Sequence, residues 1–363
     1  MNVESLDTPV ATVDLDAVER NITRMQGYCD EHGLAFRPHI KTHKLPAIAH
    51  MQLAAGAVGI TCQKLGEAEV MERSGVTDIL LTYPLLGPAK AERLAALAGE
   101  ARMSVAADSA EVARGLSAAL AAAGVEAGFL VEVDTGFNRT GVQSPEAAAE
   151  LAALVESLPG LRFDGLMTYP TQEGTGAKLR ACIDAIGSRG LEVRVVSAGG
   201  TPTFFTNHEA PEITEVRAGT YVYGDVSCIA NRAVPLEDCA LRIRATVVSR
   251  PTHDRGILDG GSKTLTNDPA ERGQPMDDDA RSRLGGAGKG LIVEYPEAEI
   301  YALSEEHGHV DFSACDSRPE VGEVVTVIPN HACGCTNMHD EVVVHRGGRI
   351  VGTWPVAARG KLR

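Results

Sequence analysis

Aromatic residues are scarce in this chain. Phe, Trp and Tyr together make up 4% of its 363 residues, with a single Trp, although 44% are hydrophobic. The core must therefore be built from Ala, Val, Leu and Ile. Positive charge is also short: 34 Lys and Arg stand against 49 Asp and Glu, a formal net charge of −15. That balance argues against nucleic acid or an anionic membrane as partner, while leaving room for local basic spots that hold a phosphate. No run approaches the ~18 apolar residues of a membrane span, and Met1-Asn2-Val3-Glu4-Ser5 does not read as a secretory leader. The eight cysteines (29, 62, 182, 228, 239, 315, 333 and 335) are scattered, as in a reducing compartment, so a cytoplasmic protein is expected. Only Cys333 and Cys335 form a close pair. No internal repeat or low-complexity tract stands out.

What is present is an alternation of apolar, β-branched stretches with helical ones from residue 11 to about 224. Residues 16–32 read as a helix, because Leu15, Val18, Ile22, Met25 and Cys29 recur at spacings of three and four. Asp14 or Asp16 suits its start and Gly33 its end. Strands are expected at 35–40, 58–63, 78–83, 103–107, 129–134, 163–169, 193–198 and 216–223. Eight strands with Ala- and Leu-rich helices between most of them predict a (β/α)8 TIM-type barrel, with an open doubly wound sheet as the alternative. From about Leu241 the rhythm becomes mostly β, with strands expected at 242–248, 256–259, 291–294, 299–303, 324–328 and a hairpin 341–344/349–354 turning at Arg346-Gly347-Gly348. The expected domains are thus a barrel over 11–240 and a smaller β domain over 241–363, with residues 1–10 packing on the latter. Between its strands, 264–289 is rich in Asp, Gly and Arg and reads as a long loop suited to an active-site flap.

The most informative stretch is Arg37-Pro38-His39-Ile40-Lys41-Thr42-His43-Lys44. It sets a lysine where an apolar segment runs into a polar turn. A lysine at the end of a buried strand can lose its proton and attack a carbonyl, because desolvation disfavours the ammonium form. That is the chemistry that anchors pyridoxal phosphate; alone, such a run is more often a solvated basic turn. In an α/β barrel, functional groups lie at the carboxyl ends of strands, and phosphate often binds after strands seven and eight. Lys41 follows strand one, Arg139 strand five, and Tyr169 closes strand six. Ser197-Ala198-Gly199-Gly200-Thr201 follows strand seven, and Gly219-Thr220-Tyr221 is placed on strand eight. Gly199 and Gly200 let backbone N–H groups close on a phosphate, and Thr201 offers a hydroxyl. The Gly-x-Gly-x-x-Gly spacing of a dinucleotide site is missing. The plain alternatives are a surface ion pair for Arg139 and a packed aromatic for Tyr169.

A second cluster is Pro329-Asn330-His331-Ala332-Cys333-Gly334-Cys335, with Glu305-Glu306-His307-Gly308-His309 upstream. In an extended segment His331 and Cys333 point the same way, so imidazole and thiolate can share one metal. Two residues do not close a metal site, so water and substrate oxygen would complete it, as in catalytic sites. The alternatives are a buried cysteine beside a surface histidine, or a redox-active Cys333-Gly334-Cys335.

At this point the chain resembles the fold-type III pyridoxal phosphate enzymes of the D-threonine aldolase and D-serine dehydratase family, with an alanine racemase-type barrel. The resemblance runs nearly end to end. It includes Asp7-Thr8-Pro9-Val10, Asp14-Leu15-Asp16, the Arg37–Lys44 run, and Gln63-Lys64-Leu65-Gly66-Glu67-Ala68-Glu69. Further on come Leu258-Asp259-Gly260-Gly261-Ser262-Lys263, Glu306-His307-Gly308, Pro329-Asn330-His331-Ala332-Cys333 and Trp354-Pro355-Val356-Ala357-Ala358-Arg359-Gly360.

The resemblance implies a lyase acting on D-configured β-hydroxy amino acids, with pyridoxal phosphate and a divalent metal (zinc or manganese, with magnesium as a further option). It also implies a homodimer with shared active sites. It gives Lys41 the anchoring role, Arg139 the ring oxygen, and Tyr169 a place beside the ring. Ser197, Gly199, Gly200, Thr201, Gly219 and Tyr221 take the phosphate cup, and His331 and Cys333 the metal. His307 and His309 are the candidate bases for the β-hydroxyl. One departure matters: the family's well-studied aldolases carry His-x-Asp at the metal and its D-serine dehydratases His-x-Cys. This chain has His-x-Cys, while Asn337-Met338-His339-Asp340-Glu341 and Ala358-Arg359-Gly360 look aldolase-like. Retro-aldol cleavage of the D-threonine aldolase type is favoured narrowly. Dehydration of D-serine or D-3-hydroxyaspartate to a keto acid and ammonia is the alternative. An amino-acid racemase or a non-catalytic carrier of the cofactor stands further back.

Overall fold

The computed structural model describes residues 1–271, 279, 282 and 288–363. By their contacts these fall into two compact units. One comprises Met25–Lys41, Pro46–Gly219 and Gly360–Arg363; the other comprises Met1–Arg24, Thr42–Leu45 and Thr220–Arg359. The strands, in chain order, are β1 (Val10–Asp14), β2 (Ala35–Phe36), β3 (Ile60–Cys62), β4 (Asp78–Leu81), β5 (Arg102–Ala107), β6 (Ala127–Glu132), β7 (Leu161–Met167), β8 (Val195–Ala198) and β9 (Glu215–Val216). They continue with β10 (Leu241–Ser249), β11 (Arg255–Leu258), β12 (Gly290–Ile292), β13 (Glu299–Leu303), β14 (Gly308–Asp311), β15 (Val324–Pro329), β16 (Glu341–Arg346) and β17 (Arg349–Pro355).

The first unit is the expected barrel. Strands β3 to β9 pair in parallel in sequence order, and β2 pairs with β9. A further parallel bridge between His39 and Thr61 closes the ring back onto β3. Parallel strands buried on both faces read as continuous apolar runs, and β6 is buried along its whole length. Leu80, Ala106, Leu130 and Met167, one from each of four successive strands, form a buried cluster. The crossover helices begin where side chains cap them: Ser109 accepts from Val112 N–H and Ser144 from Ala147 N–H, the latter with Pro145 in the first turn.

The second unit is built on a mostly antiparallel sheet. Its order runs β13-β14-β11-β10-β1-β16-β17, with β15 pairing β10 and β12. Leu241, Ile243, Ala245 and Val247 alternate into its core along β10. Strand β1 joins this sheet, antiparallel to β10 and parallel to β16. Among the described residues no helix is long and apolar enough to cross a membrane.

Three local expectations need correction. The eighth barrel strand stops at Val216 rather than running to Tyr223; Thr220–Val222 is a 3-10 turn, closed by Tyr223 and Gly224 N–H groups on the Thr220 carbonyl. Gly219, Thr220 and Tyr221 therefore do not lie on a strand. Strand β14 was not expected, because Gly308-His309-Val310-Asp311 is short and half polar. The expected loop 264–289 lies largely outside the described residues, and at its start Ser262–Leu265 is a short helix.

Candidate active site

The chain leading to Lys41 stays in the barrel wall to its end. Arg37 N–H donates to Val216 O, His39 N–H to Ala218 O and Ile40 N–H to Thr61 O, at 3.0, 2.8 and 2.9 Å. Lys41 thus leaves the wall at its carboxyl end. Its Nζ lies 5.9 Å from the centre of the Tyr169 ring. The Arg139 guanidinium carbon is 4.9 Å from the same centre, and Phe137 meets Tyr169 edge-on at 5.7 Å. Two residues expected from the sequence, Lys41 and Arg139, therefore converge on the ring of a third, Tyr169. The other lysine of the run is engaged elsewhere: Lys44 is buried and its Nζ donates to the Ala358 carbonyl at 3.4 Å.

Gly199 and Gly200 follow β8. A β-carbon on Gly200 would sit 2.9 Å from Tyr169 Cε2, so only glycine lets this backbone close on the ring. Thr201 is buried and opens the 3-10 stretch Thr201–Glu209. Ser197 is deeper, and its hydroxyl is engaged within the barrel. It donates to Glu215 Oε1 at 2.5 Å and accepts from Arg217 Nη1 at 2.7 Å. Gly219 follows in the barrel unit; Tyr221 is fully buried in the other unit.

Sequence reasoning passed over two buried ionisable groups here. Arg217 also donates to the Thr168 carbonyl at 2.8 Å, and complete burial pushes it down to about 10. Through Ser197 and Glu215 it connects to Arg37, whose Nε donates to Glu215 Oε2 at 2.7 Å and whose Nη1 donates to Asp78 Oδ1 at 2.5 Å. The only hint was an arginine inside the apolar Val216-Arg217-Ala218. Glu132, at the end of β6, accepts from Thr140 Oγ1 at 2.6 Å and lies 3.8 Å from Arg139 Nη2. Burial raises its carboxyl above the ordinary value.

In the second unit, His331 and Cys333 follow β15, but not in the extended form expected. Residues Ala332–Thr336 make a short helix with His331 at its start, because Cys335 N–H bonds back to His331 O and Asp225 accepts from Ala332 N–H. Cys333 Sγ lies 3.1 Å from Thr42 Oγ1 and 3.8 Å from Thr220 Oγ1. His331 Nδ1 lies 2.5 Å from Asp268 Oδ2. Cys335 is buried with its thiol pushed up by desolvation and donating to Thr264 O, which suits packing rather than redox exchange. His307 sits exposed at the β13–β14 turn, and His309 Nε2 contacts Ser304 Oγ at 3.0 Å in the same hairpin. Among the described residues no group of three or more His, Cys, Asp or Glu side chains converges to hold a metal.

These surroundings fit the groups the sequence implies. A glycine backbone pressed on a tyrosine ring, with a lysine and an arginine at that ring, suits a flat phosphorylated cofactor. Hydroxyls beside a sulfur and a carboxylate behind an imidazole suit a two-residue divalent metal site left open to other ligands.

Residues 13–227 match the family model of the alanine racemase N-terminal domain, and residues 240–345 match that of a putative serine dehydratase domain. The chain is 35% identical to a D-threonine aldolase of Arthrobacter sp., covering 98% of this chain and 93% of that protein. It is 32% identical to the D-threo-3-hydroxyaspartate dehydratase of Delftia sp., covering 91% of each. The crystal structure of a D-threonine aldolase from Filomicrobium marinum superposes with a TM-score of 0.86 at 34% identity, over 99% of this chain and 97% of that one. Barrel, antiparallel domain and end-to-end likeness agree: the chain belongs to the fold-type III pyridoxal phosphate family that contains the D-threonine aldolases and the serine dehydratase-type enzymes.

Proposed function

We propose that the protein is a pyridoxal phosphate- and divalent metal-dependent lyase of D-β-hydroxy amino acids, of D-threonine aldolase type, releasing glycine and an aldehyde. The observation that carries this reading is the convergence of Lys41 and Arg139 on the Tyr169 ring, in a chain 35% identical to a D-threonine aldolase over 98% of its length. Bound there, the cofactor supplies an electron sink for bonds at the substrate Cα, and the metal a Lewis acid for its β-hydroxyl.

The chain's own residues take the remaining roles. Lys41 is the anchoring amine, and Arg139 the cation for the ring oxygen. Tyr169 packs beside the ring. Backbone N–H groups of Gly199, Gly200, Thr201 and Gly219 serve the phosphate. Ser197 acts one step back, holding Arg217. His331 and Cys333 hold the metal; a thiolate favours zinc over manganese or magnesium. His307 and His309 are the candidate bases for the β-hydroxyl. We further propose a homodimer, for which sedimentation at micromolar concentration is the check; a fully active monomer rules it out.

A second reading, dehydration to a keto acid and ammonia with Lys41 as the base at Cα, is favoured by Cys333 and by the likeness to a dehydratase. D-threonine, D-serine and D-3-hydroxyaspartate assayed in parallel separate the two. Glycine plus aldehyde is the expected outcome; keto acid plus ammonia from all three overturns the aldolase reading.

A further inference from the structure

Two consecutive residues at the end of β15 meet Asp268, one through its backbone and one through its side chain. Asn330, fully buried, donates through Nδ2 to the backbone carbonyls of Asp268 and Gly288 at 3.2 and 2.9 Å. His331, next in the chain, meets the Asp268 side chain, with Nδ1 2.5 Å from Oδ2. The chain turns at Thr266, a β-branched residue at φ 67°, whose hydroxyl accepts from Asp268 N–H at 3.4 Å. Above the carboxylate lies Gly334, between the two cysteines. A β-carbon there would come within 3.0 Å of Asp268 Oδ2 and 3.1 Å of Thr266 Oγ1. Backbone, side chain and a missing β-carbon therefore all serve to seat one carboxylate against one imidazole.

That separation decides what the carboxylate does. Two donors on one metal, each at ~2.0–2.1 Å and near a tetrahedral angle, stand roughly 3.3 Å apart. At 2.5 Å, His331 Nδ1 and Asp268 Oδ2 are hydrogen-bonded instead. Nδ1–H donates to the carboxylate, which places the imidazole lone pair on Nε2.

We propose that Asp268 is the positioning residue for His331: its carboxylate fixes the imidazole in the tautomer that presents Nε2 to a divalent metal and strengthens that nitrogen as a donor. The proposal rests on the reading of His331 and Cys333 as metal ligands. Carboxylates behind a ligating imidazole orient the ring and raise its basicity, and their loss commonly costs 10–100-fold in metal affinity. Gly334 then has a purpose of its own, keeping the volume into which Asp268 projects.

The test is zinc titration of metal-depleted, cofactor-loaded protein against a chromophoric chelator. Asp268→Ala is expected to bind zinc about 10–100-fold more weakly than wild type. Asp268→Asn should lie between the two, because its amide oxygen still accepts the hydrogen bond without the charge. Gly334→Ala, which crowds the carboxylate without removing any polar group, should weaken binding as well. The cofactor absorbance should be the same in all of them. With cobalt(II) in place of zinc, the ligand-field spectrum should shift in Asp268→Asn, which a purely structural role for the residue would not produce. Zinc affinities of Asp268→Ala and Asp268→Asn within about threefold of wild type, with unchanged cobalt spectra, overturn the proposal. Should Asp268→Ala fail to fold, Asp268→Asn alone decides. Wild-type protein that binds no zinc at all removes the metal reading of His331 and Cys333 first, and this proposal with it.

Discussion

The Tyr169 ring lies so close over Gly200 that a β-carbon there would come within 2.9 Å of its Cε2. Ring and loop are thus fitted to each other, and the cost of disturbing them falls on whatever the loop binds. Gly200→Ala must displace either the ring or the loop. We expect cofactor affinity to drop by at least about tenfold, with a modest loss of stability of roughly 1–3 kcal/mol from overpacking. Cofactor titration followed by absorbance checks this; unchanged affinity would separate the loop from phosphate binding.

Lys41 and Lys44 make opposite predictions. Lys41 Nζ stands near the Tyr169 ring, whereas Lys44 Nζ is buried against the Ala358 carbonyl. Lys41→Ala should abolish the visible absorbance of bound cofactor and lower turnover by several orders of magnitude. Lys44→Ala should keep the absorbance and lose stability, since it leaves that buried carbonyl short of a donor. Absorbance kept in the first and lost in the second would transfer the anchoring role.

The barrel was legible in the sequence because each wall strand is a short apolar run set between helices of clear period. Its eighth strand was misjudged at 216–223, where the apolar run continues through Gly219 although the backbone turns at Thr220. The residue types of the metal pair were legible, but not their geometry, since nothing in His331-Ala332-Cys333 announces a helical turn. Arg217 and Asp268 were missed for a different reason. Arg217 matters through Ser197 and Asp268 through His331, contacts 20 and 63 residues away that pattern cannot supply.

Two half-buried histidines should make stability fall in mild acid. Burial lowers both His339, whose Nε2–H donates to Thr264 O at 3.0 Å, and His345 below their ordinary value of 6.5. Between the folded values and 6.5 the unfolded chain binds more protons, so stability is full above 6.5 and is lost as pH falls through that window. Glu132, raised by burial, works in the opposite sense above its ordinary value of 4.5. Urea midpoints at about pH 7.5 and about pH 5.5 should therefore differ, and His339→Gln with His345→Gln should shrink the difference. An undiminished difference in the double variant would place the acid sensitivity in other groups.

The last prediction concerns Cys333, whose sulfur lies 3.1 Å from the Thr42 hydroxyl and 3.8 Å from that of Thr220. Hydroxyls so placed can donate to a thiolate, the form in which sulfur binds metal. If His331 and Cys333 hold a catalytic metal, a chelator should stop turnover while leaving the cofactor absorbance in place, because Lys41 does not depend on the metal for its own anchoring. Cys333→Ala should lose metal and activity together. Cys333→Asp should regain activity with manganese, since a carboxylate suits that harder ion better than a thiolate does. A cysteine that merely packs behaves differently: the purified protein would hold no metal, chelator would have no effect, and Cys333→Ala would cost about 1 kcal/mol of stability and no activity. Full turnover in metal-free protein would falsify the metal assignment and leave the barrel site to act alone.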